Sequence, residues 1–182
     1  MNTIIHPMEI TTAEYLYNNC ILQATLAQVE QASVWYFEAQ EVAEDVAEIL
    51  GTSLEVGASI VSAFSPRERW ASNVAKAYAF ANGKPVAGLS NNLKMANAAL
   101  EQGFDALKGQ KTNAFARAIA GDTNAVVIDV WMCRAANAPT DSPSKGLYNT
   151  LSDAVTSVAN EHGLSPRTAQ ALIWIVKRGS AS

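Results

Sequence analysis

The helical spacing of apolar residues is the feature of this chain that most constrains its fold. In the segment 33–50, Trp35, Val42 and Val46 recur at helical intervals, whereas acidic residues occupy the opposite face. This period predicts an amphipathic helix that buries one apolar stripe. Similar segments, separated by turns that contain glycine or proline, fill the chain, and none alternates with the two-residue period of a strand. The sequence therefore predicts an all-α protein.

Capping residues mark two further helix starts. Ser65 and Pro66, followed by Glu68, have the spacing of an N-cap, a first-turn proline and a capping-box glutamate. They predict a helix that begins at Ser65. Ser165 and Pro166 predict the start of the last helix in the same way.

Asp129 is the only charged residue within a strongly apolar segment. It follows the apolar run 125–128 and precedes Val130 and Trp131. A carboxylate in such surroundings must find hydrogen-bond donors, because burying it without them costs free energy. We expect Asp129 to be the N-cap of a helix running from Val130 towards Ala136. On the residue alone, a structural cap and a catalytic group both stay open.

A second candidate position lies before Asp129 in the chain. A helix that begins near Gln110 leaves its first backbone N–H groups unpaired, which makes the preceding turn a natural seat for a phosphate. Lys108 and Lys111 supply matching positive charge. If the two helix starts face one opening, Lys111 and Asp129 meet there, and we expect this convergence.

Charge is unevenly distributed along the 182 residues, although the net charge is only −4. Residues 1–66 hold nine acidic and no basic side chains, and residues 67–182 hold eight acidic and all thirteen basic side chains. Such asymmetry fits a protein with one face for phosphates, but charge alone favours an acidic helix pair that covers a neutral body. The length fits one compact helical domain over 1–182, or two lobes, about 1–53 with 137–182 and about 54–136.

Several other classes of protein are not indicated. Two cysteines, no signal peptide and no apolar run of membrane length predict a cytoplasmic protein without a membrane partner. The two histidines are far apart and lack ligand partners at metal-binding spacing, so no metal is expected. No P-loop, dinucleotide-binding fingerprint or nucleophile elbow occurs.

The candidate residues belong to a pattern. Leu107, Gly109, Lys111 and Thr112 are followed by Asp129 eighteen positions after the lysine, and by Arg134. Upstream, the segment 62–66 precedes Trp70, Asn73 and Lys76. Together these motifs resemble the helix-hairpin-helix DNA glycosylase superfamily over roughly residues 60–136. The combination of SPRERWxxN, LKGxKTxAF, GDxxxVxID and QALIW is similar to uncharacterised glycosylase-like proteins of bacteriophages and their prophages.

The resemblance implies a glycosylase-like helical fold with a helix-hairpin-helix element and a central cleft. It implies excision of a damaged or modified base that is flipped from double-stranded DNA into the cleft, with or without lyase activity. Asp129 would stabilise positive charge on the sugar, and Lys111 would attack the sugar carbon. No cofactor is expected. The implied DNA-contacting residues are Lys108, Gly109, Gln110, Thr112, Arg67, Arg69, Lys76 and Arg134, and the implied base pocket contains Ser62, Ser65, Trp70 and Asn73.

The chain departs from the pattern at two places. Only Gly109 remains of the two family glycines, and Val130 and Trp131 replace a threonine and a histidine. A four-cysteine cluster is excluded because Cys20 and Cys133 are the only cysteines. Two alternatives stay open: a phage enzyme of DNA base hypermodification, and a noncatalytic DNA-binding or inhibitory protein. The resemblance specifies neither the base nor the oligomeric state.

Overall fold

The computed structural model describes residues 9–179, and no strand occurs within that range. The all-α prediction is therefore confirmed. The helices are α1 (Ile10–Leu22), α2 (Leu26–Leu50), α3 (Leu54–Ala63), α4 (Trp70–Ala81), α5 (Ser90–Gln102), α6 (Gln110–Ile119), α7 (Val130–Ala135), α8 (Lys145–Glu161) and α9 (Pro166–Arg178), with a 3-10 helix (Gly103–Ala106) between α5 and α6.

The described residues form two compact units. The terminal unit contains 9–33 and 126–179, and the central unit contains 34–125. The boundary falls within α2. The lobes expected from the sequence, 1–53 with 137–182 and 54–136, stay a prediction.

The terminal unit is built from α1, α7, α8 and α9 around one apolar core. Ile128, Leu151 and Ile173 are among its fully buried side chains. Tyr17 of α1 is also fully buried, and its hydroxyl donates to the carbonyl oxygen of Met132 at 3.0 Å. This bond satisfies the only polar atom of the tyrosine side chain, so the ring can lie in the core.

The central unit is organised around α3, which packs against α4, α5, α6 and the 3-10 helix. Seven of the ten residues of α3 are buried, in keeping with its apolar sequence. Gly57 allows α3 to approach α2 closely, because a Cβ atom at this position would overlap the carbonyl oxygen of Ala43. Glycine is therefore a packing requirement at this crossing.

The predicted helix start at Ser165 is confirmed, since its hydroxyl accepts from the backbone N–H of Thr168 at 3.2 Å. The predicted start at Ser65 is wrong. There α4 begins at Trp70, and Arg67 has a φ of +63°, which interrupts a right-handed helix.

The acidic partner of the predicted capping box explains this difference. The carboxylate of Glu68 pairs with Lys76 and accepts from the hydroxyl of Ser72 at 2.8 Å. It is therefore engaged with α4 and does not reach back to Ser65. The hydroxyl oxygen of Ser65 is buried and has no hydrogen-bond partner among the described residues.

Length and hydropathy limit which helices of residues 9–179 could cross a membrane. No single helix there is long and apolar enough to cross a membrane. Helices α2 and α3 meet the length and composition criteria only as a pair, and they are bent by 111° at the break between them.

Candidate functional site

Asp129 occupies the N-cap of α7, as the sequence predicts. The segment that leads to it, 125–128, is buried and irregular. Tyr148 of α8 fixes this segment: its hydroxyl donates to the carbonyl oxygen of Val126 at 2.9 Å and accepts from the N–H of Ile128 at 3.2 Å. The position of Asp129 is therefore set by a buried hydrogen-bonded support from a different helix.

The carboxylate of Asp129 receives three hydrogen bonds. Its Oδ1 accepts from the backbone N–H groups of Trp131 at 2.9 Å and Met132 at 3.0 Å, which is the expected N-cap arrangement. Its Oδ2 accepts from the indole Nε1–H of Trp174 at 2.9 Å. Protein groups therefore orient the carboxylate, and Asp129 as a residue is only partly buried.

An arginine guanidinium lies over the ring of each tryptophan that donates to Asp129. The guanidinium carbon of Arg134 lies 5.2 Å from the ring centroid of Trp131, and that of Arg178 lies 4.8 Å from the ring centroid of Trp174. Both distances suit a cation–π interaction. The surface next to Asp129 thus combines aromatic rings with positive charge.

Arg134 has a second role at this surface. Its guanidinium forms a two-bond ion pair with exposed Asp141, with Nη2 to Oδ2 at 2.7 Å. The hydrogen bond to Asp141 raises the pKa of Arg134 above its usual value. Arg134 was assigned to DNA contact from the sequence, and a phosphate there would compete with Asp141.

Cys133 follows Met132 in α7 and is buried. Burial, and then the negative charge of Asp129, raises the pKa of Cys133 to about 11. The thiol is therefore protonated at neutral pH. A thiolate is the nucleophilic form of cysteine, so Cys133 acts as a small apolar residue of the core.

The second predicted position lies at the start of α6 in the central unit. Gly109 is the N-cap of this helix and provides no side-chain cap. Lys108 and Gly109 are exposed, and Lys111 is partly buried. Within the described part of the chain, the Lys111 ammonium makes no hydrogen bond or ion pair. Lys111 therefore has a cationic group available at the first turn of a helix.

Side-chain hydrogen bonds hold the start of α6 against its neighbours. The buried hydroxyl of Ser62 in α3 donates to the carbonyl oxygen of Thr112 at 2.7 Å. The amide of Asn113 donates to the carbonyl oxygens of Phe104 at 3.0 Å and Leu107 at 3.3 Å. These bonds fix the turn before α6. A residue that positions a phosphate or a nucleophile needs such a fixed support.

The remaining predicted base-pocket residues lie in or beside α4. Asn73 is 2% exposed, and its Oδ1 has no hydrogen-bond partner among the described residues. Trp70 is partly buried. Lys76 forms an ion pair with Glu68. The bonds from Lys76 and from Ser72 lower the pKa of Glu68 below its usual value.

The structure therefore groups the predicted site residues in two sets. Asp129 and Arg134 belong to the terminal unit, and the other assigned residues belong to the central unit. The meeting of Lys111 with Asp129 stays a prediction. No group of three or more His, Cys, Asp or Glu side chains within residues 9–179 could hold a metal ion.

Sequence reasoning did not assign Tyr148 or pair Trp174 with Asp129. A tyrosine on the buried face of α8 does indicate a buried hydrogen bond, because its hydroxyl must find a partner. Nothing in the spacing identifies that partner as the segment 126–128. Likewise, the need of Asp129 for donors was evident, but Trp174 lies 45 residues away.

Comparison with known proteins places the chain in one family. The model of a family of unknown function, DUF7178, matches residues 8–181, so the chain belongs to that family. No curated protein and no solved structure matches the chain.

Proposed function

We propose that this protein is a DNA base-excision glycosylase that acts on a damaged or modified base flipped out of the duplex. The observation that carries the proposal is the carboxylate of Asp129. It is partly exposed, oriented by three donors, and flanked by two tryptophan rings that carry arginines. A fixed carboxylate suits a reaction that develops positive charge on a sugar, and the nearby arginines suit the phosphates on either side of that sugar.

Asp129 has the chemistry that base excision requires. As the bond between the base and C1′ breaks, positive charge grows on the sugar, and a carboxylate held nearby lowers the energy of that state. Because the backbone N–H groups of Trp131 and Met132 hold Oδ1 and the indole of Trp174 holds Oδ2, little reorganisation would accompany the reaction.

Lys111 would supply the nucleophile of a combined glycosylase and lyase. Its neutral amine would attack C1′, the base would leave with the bonding electrons and take up a proton, and the opened sugar would form a Schiff base with Nζ. Within the described residues the Lys111 side chain makes no hydrogen bond or ion pair, so no protein partner has to be displaced before it can approach a sugar.

The remaining parts of the proposal concern the DNA backbone. Helix α5, the 3-10 helix and α6 follow one another in the order that a helix-hairpin-helix element requires. The N-cap of α6 is a glycine without a side-chain cap, and this helix start, together with exposed Lys108, suits a phosphate.

Borohydride trapping tests this function. The full chain is incubated with duplexes that carry uracil, hydroxymethyluracil, oxidised or alkylated bases, and borohydride reduces any Schiff base to a stable amine. We expect a covalent adduct that disappears in Lys111→Ala and persists in Lys84→Ala, which removes an exposed lysine. Base release without an adduct would leave a glycosylase without lyase chemistry. Absence of both on every duplex would reject the proposed function.

A second function is favoured by the same carboxylate. Both oxygens of Asp129 are engaged by protein donors, two of them in the N-cap of α7, so a purely structural role accounts for the carboxylate as well. On this view the protein binds DNA without catalysis. Duplex binding without base release would support this alternative.

A further inference from the structure

Three aromatic rings from three helices meet in the central unit. The ring centroid of Trp35 in α2 lies 5.4 Å from that of Trp70 in α4 and 6.0 Å from that of Phe115 in α6. Trp70 and Phe115 are 6.5 Å apart. We call these three residues the aromatic triad. All three are partly buried, unlike neighbouring Tyr36, which is 4% exposed, so part of the triad faces solvent.

Positive charge lies beside the triad. Lys111 precedes Phe115 by four residues of α6, so the two side chains share one face of that helix. Arg69 is exposed and immediately precedes Trp70. Acidic residues are also present nearby in the chain: Glu38 is exposed and lies one turn after Trp35 on α2, and Glu68 precedes Arg69. The triad is thus an aromatic surface with a lysine on the same helix face as Phe115 and an exposed arginine next to Trp70 in the chain.

We propose that the aromatic triad stacks an unpaired base of a DNA strand, and that Lys111 and Arg69 hold the adjoining phosphates. An unpaired nucleotide offers a flat π face and a negative charge within one residue, which matches both features of this surface. An apolar peptide could pack against the triad, but it has no negative charge to interact with Lys111 and Arg69. The inference rests on the proposed function for its ligand, DNA, and deepens it: Trp70 and Arg69 are among the base-pocket and DNA-contacting residues that the resemblance implies, and stacking requires no bond to break.

The first test compares two strands of equal length and charge on the unaltered full chain. One is a ten-residue oligothymidine, and the other is the same backbone with every base removed. Stacking contributes a gain that corresponds to about 5- to 150-fold in affinity per base. We therefore expect fluorescence anisotropy to show at least about fivefold tighter binding of oligothymidine. Equal affinities, or no binding of oligothymidine, would overturn the proposal.

Variants locate the preference on the triad. Phe115→Leu keeps an apolar side chain and removes the ring, so we expect it to abolish most of the preference while retaining affinity for the abasic strand. Tyr15→Leu is the matched control, because Tyr15 of α1 is 65% exposed and outside the triad. A full preference in Phe115→Leu, or its loss in Tyr15→Leu, would contradict the assignment.

Charge variants test the phosphate contacts even if Phe115→Leu does not fold. Lys111→Gln should weaken binding of both strands and lower the slope of log affinity against log salt by about 0.7. Glu38→Gln should strengthen both, because it removes the opposing charge. An unchanged salt slope in Lys111→Gln would remove the lysine from the proposal. Neither measurement uses base release, so this inference and the proposed function fail separately.

Discussion

The indole N–H of Trp174 donates to Asp129 Oδ2 at 2.9 Å across 45 residues of chain. The last described helix, α9, thus orients a carboxylate that caps the much shorter α7. The other oxygen of Asp129 serves the cap, so the bond from Trp174 is the one that the helix itself does not require. This division of the two oxygens separates a structural role from a positioning role.

Replacing Trp174 by phenylalanine tests that positioning role. The variant keeps an aromatic ring under Arg178 and removes the donor to Asp129. If the proposed function holds, we expect base release to fall by about tenfold, as loss of one hydrogen bond to a charged group would produce. Single-turnover assays measure this rate.

Trp131→Phe is the matched control for Trp174→Phe. It also removes an indole that carries an arginine, but the bond from position 131 to Asp129 comes from the backbone and survives. Equal losses of rate in the two variants would show that ring contacts, and not the bond to Asp129, matter.

Tyr148→Phe should destabilise the protein by about 2 kcal/mol, because it leaves the N–H of Ile128 and the carbonyl of Val126 buried without their partner. Urea unfolding measures this free energy. Tyr15→Phe, at an exposed hydroxyl, should change it little. A loss below about 0.5 kcal/mol in Tyr148→Phe would mean that water replaces the hydroxyl.

How far the sequence predicts this structure depends on the range of the interactions. The caps at Asp129 and Ser165 were predictable, because an N-cap bonds to N–H groups only two or three residues away. The start of α4 was not, because Glu68 bonds forwards to Ser72 and Lys76 instead of backwards to Ser65. Both choices are compatible with the same local sequence.

The support of the candidate site depends on contacts between distant residues. Trp174 and Tyr148 reach the region of Asp129 from α9 and α8, and only the packing of those helices brings them there. Helical periodicity indicates which face of a helix is buried. It does not indicate which helix lies opposite that face, so these partners could not be read from spacing.

Glu68→Gln should make stability less dependent on acid pH. The bonds from Lys76 and Ser72 lower the pKa of Glu68 from its usual value of 4.5. A lowered pKa stabilises the folded state above the usual value, and this contribution is lost as the pH falls through the folded pKa. Between pH 7 and pH 3 the unaltered protein should lose up to about 1 kcal/mol more than Glu68→Gln.

Urea unfolding at a series of pH values measures that difference. Glu101→Gln is the control, because Glu101 is exposed on α5 and its side chain makes no hydrogen bond or ion pair within the described residues. Parallel pH curves for the unaltered protein and Glu68→Gln would refute the stabilising role of the Lys76 pair.

Gly57→Ala should destabilise the central unit by about 3 kcal/mol, because the added methyl group overlaps the backbone of α2 at Ala43. Gly146→Ala should have the opposite effect on stability. Gly146 lies in α8 with no atom within 4 Å of an added Cβ, so alanine should stabilise the helix by about 0.5 kcal/mol. Thermal and urea unfolding compare the two; a neutral Gly57→Ala would show that α2 and α3 separate at little cost.

Base release by Asp129→Asn tests the central claim most directly. Asparagine retains an oxygen that caps α7 and removes the negative charge, so the variant should fold. On a duplex whose base the unaltered protein releases, we expect the single-turnover rate to fall by about 100-fold or more. An unchanged rate in the folded variant would contradict a catalytic role for Asp129 and leave it as a helix cap.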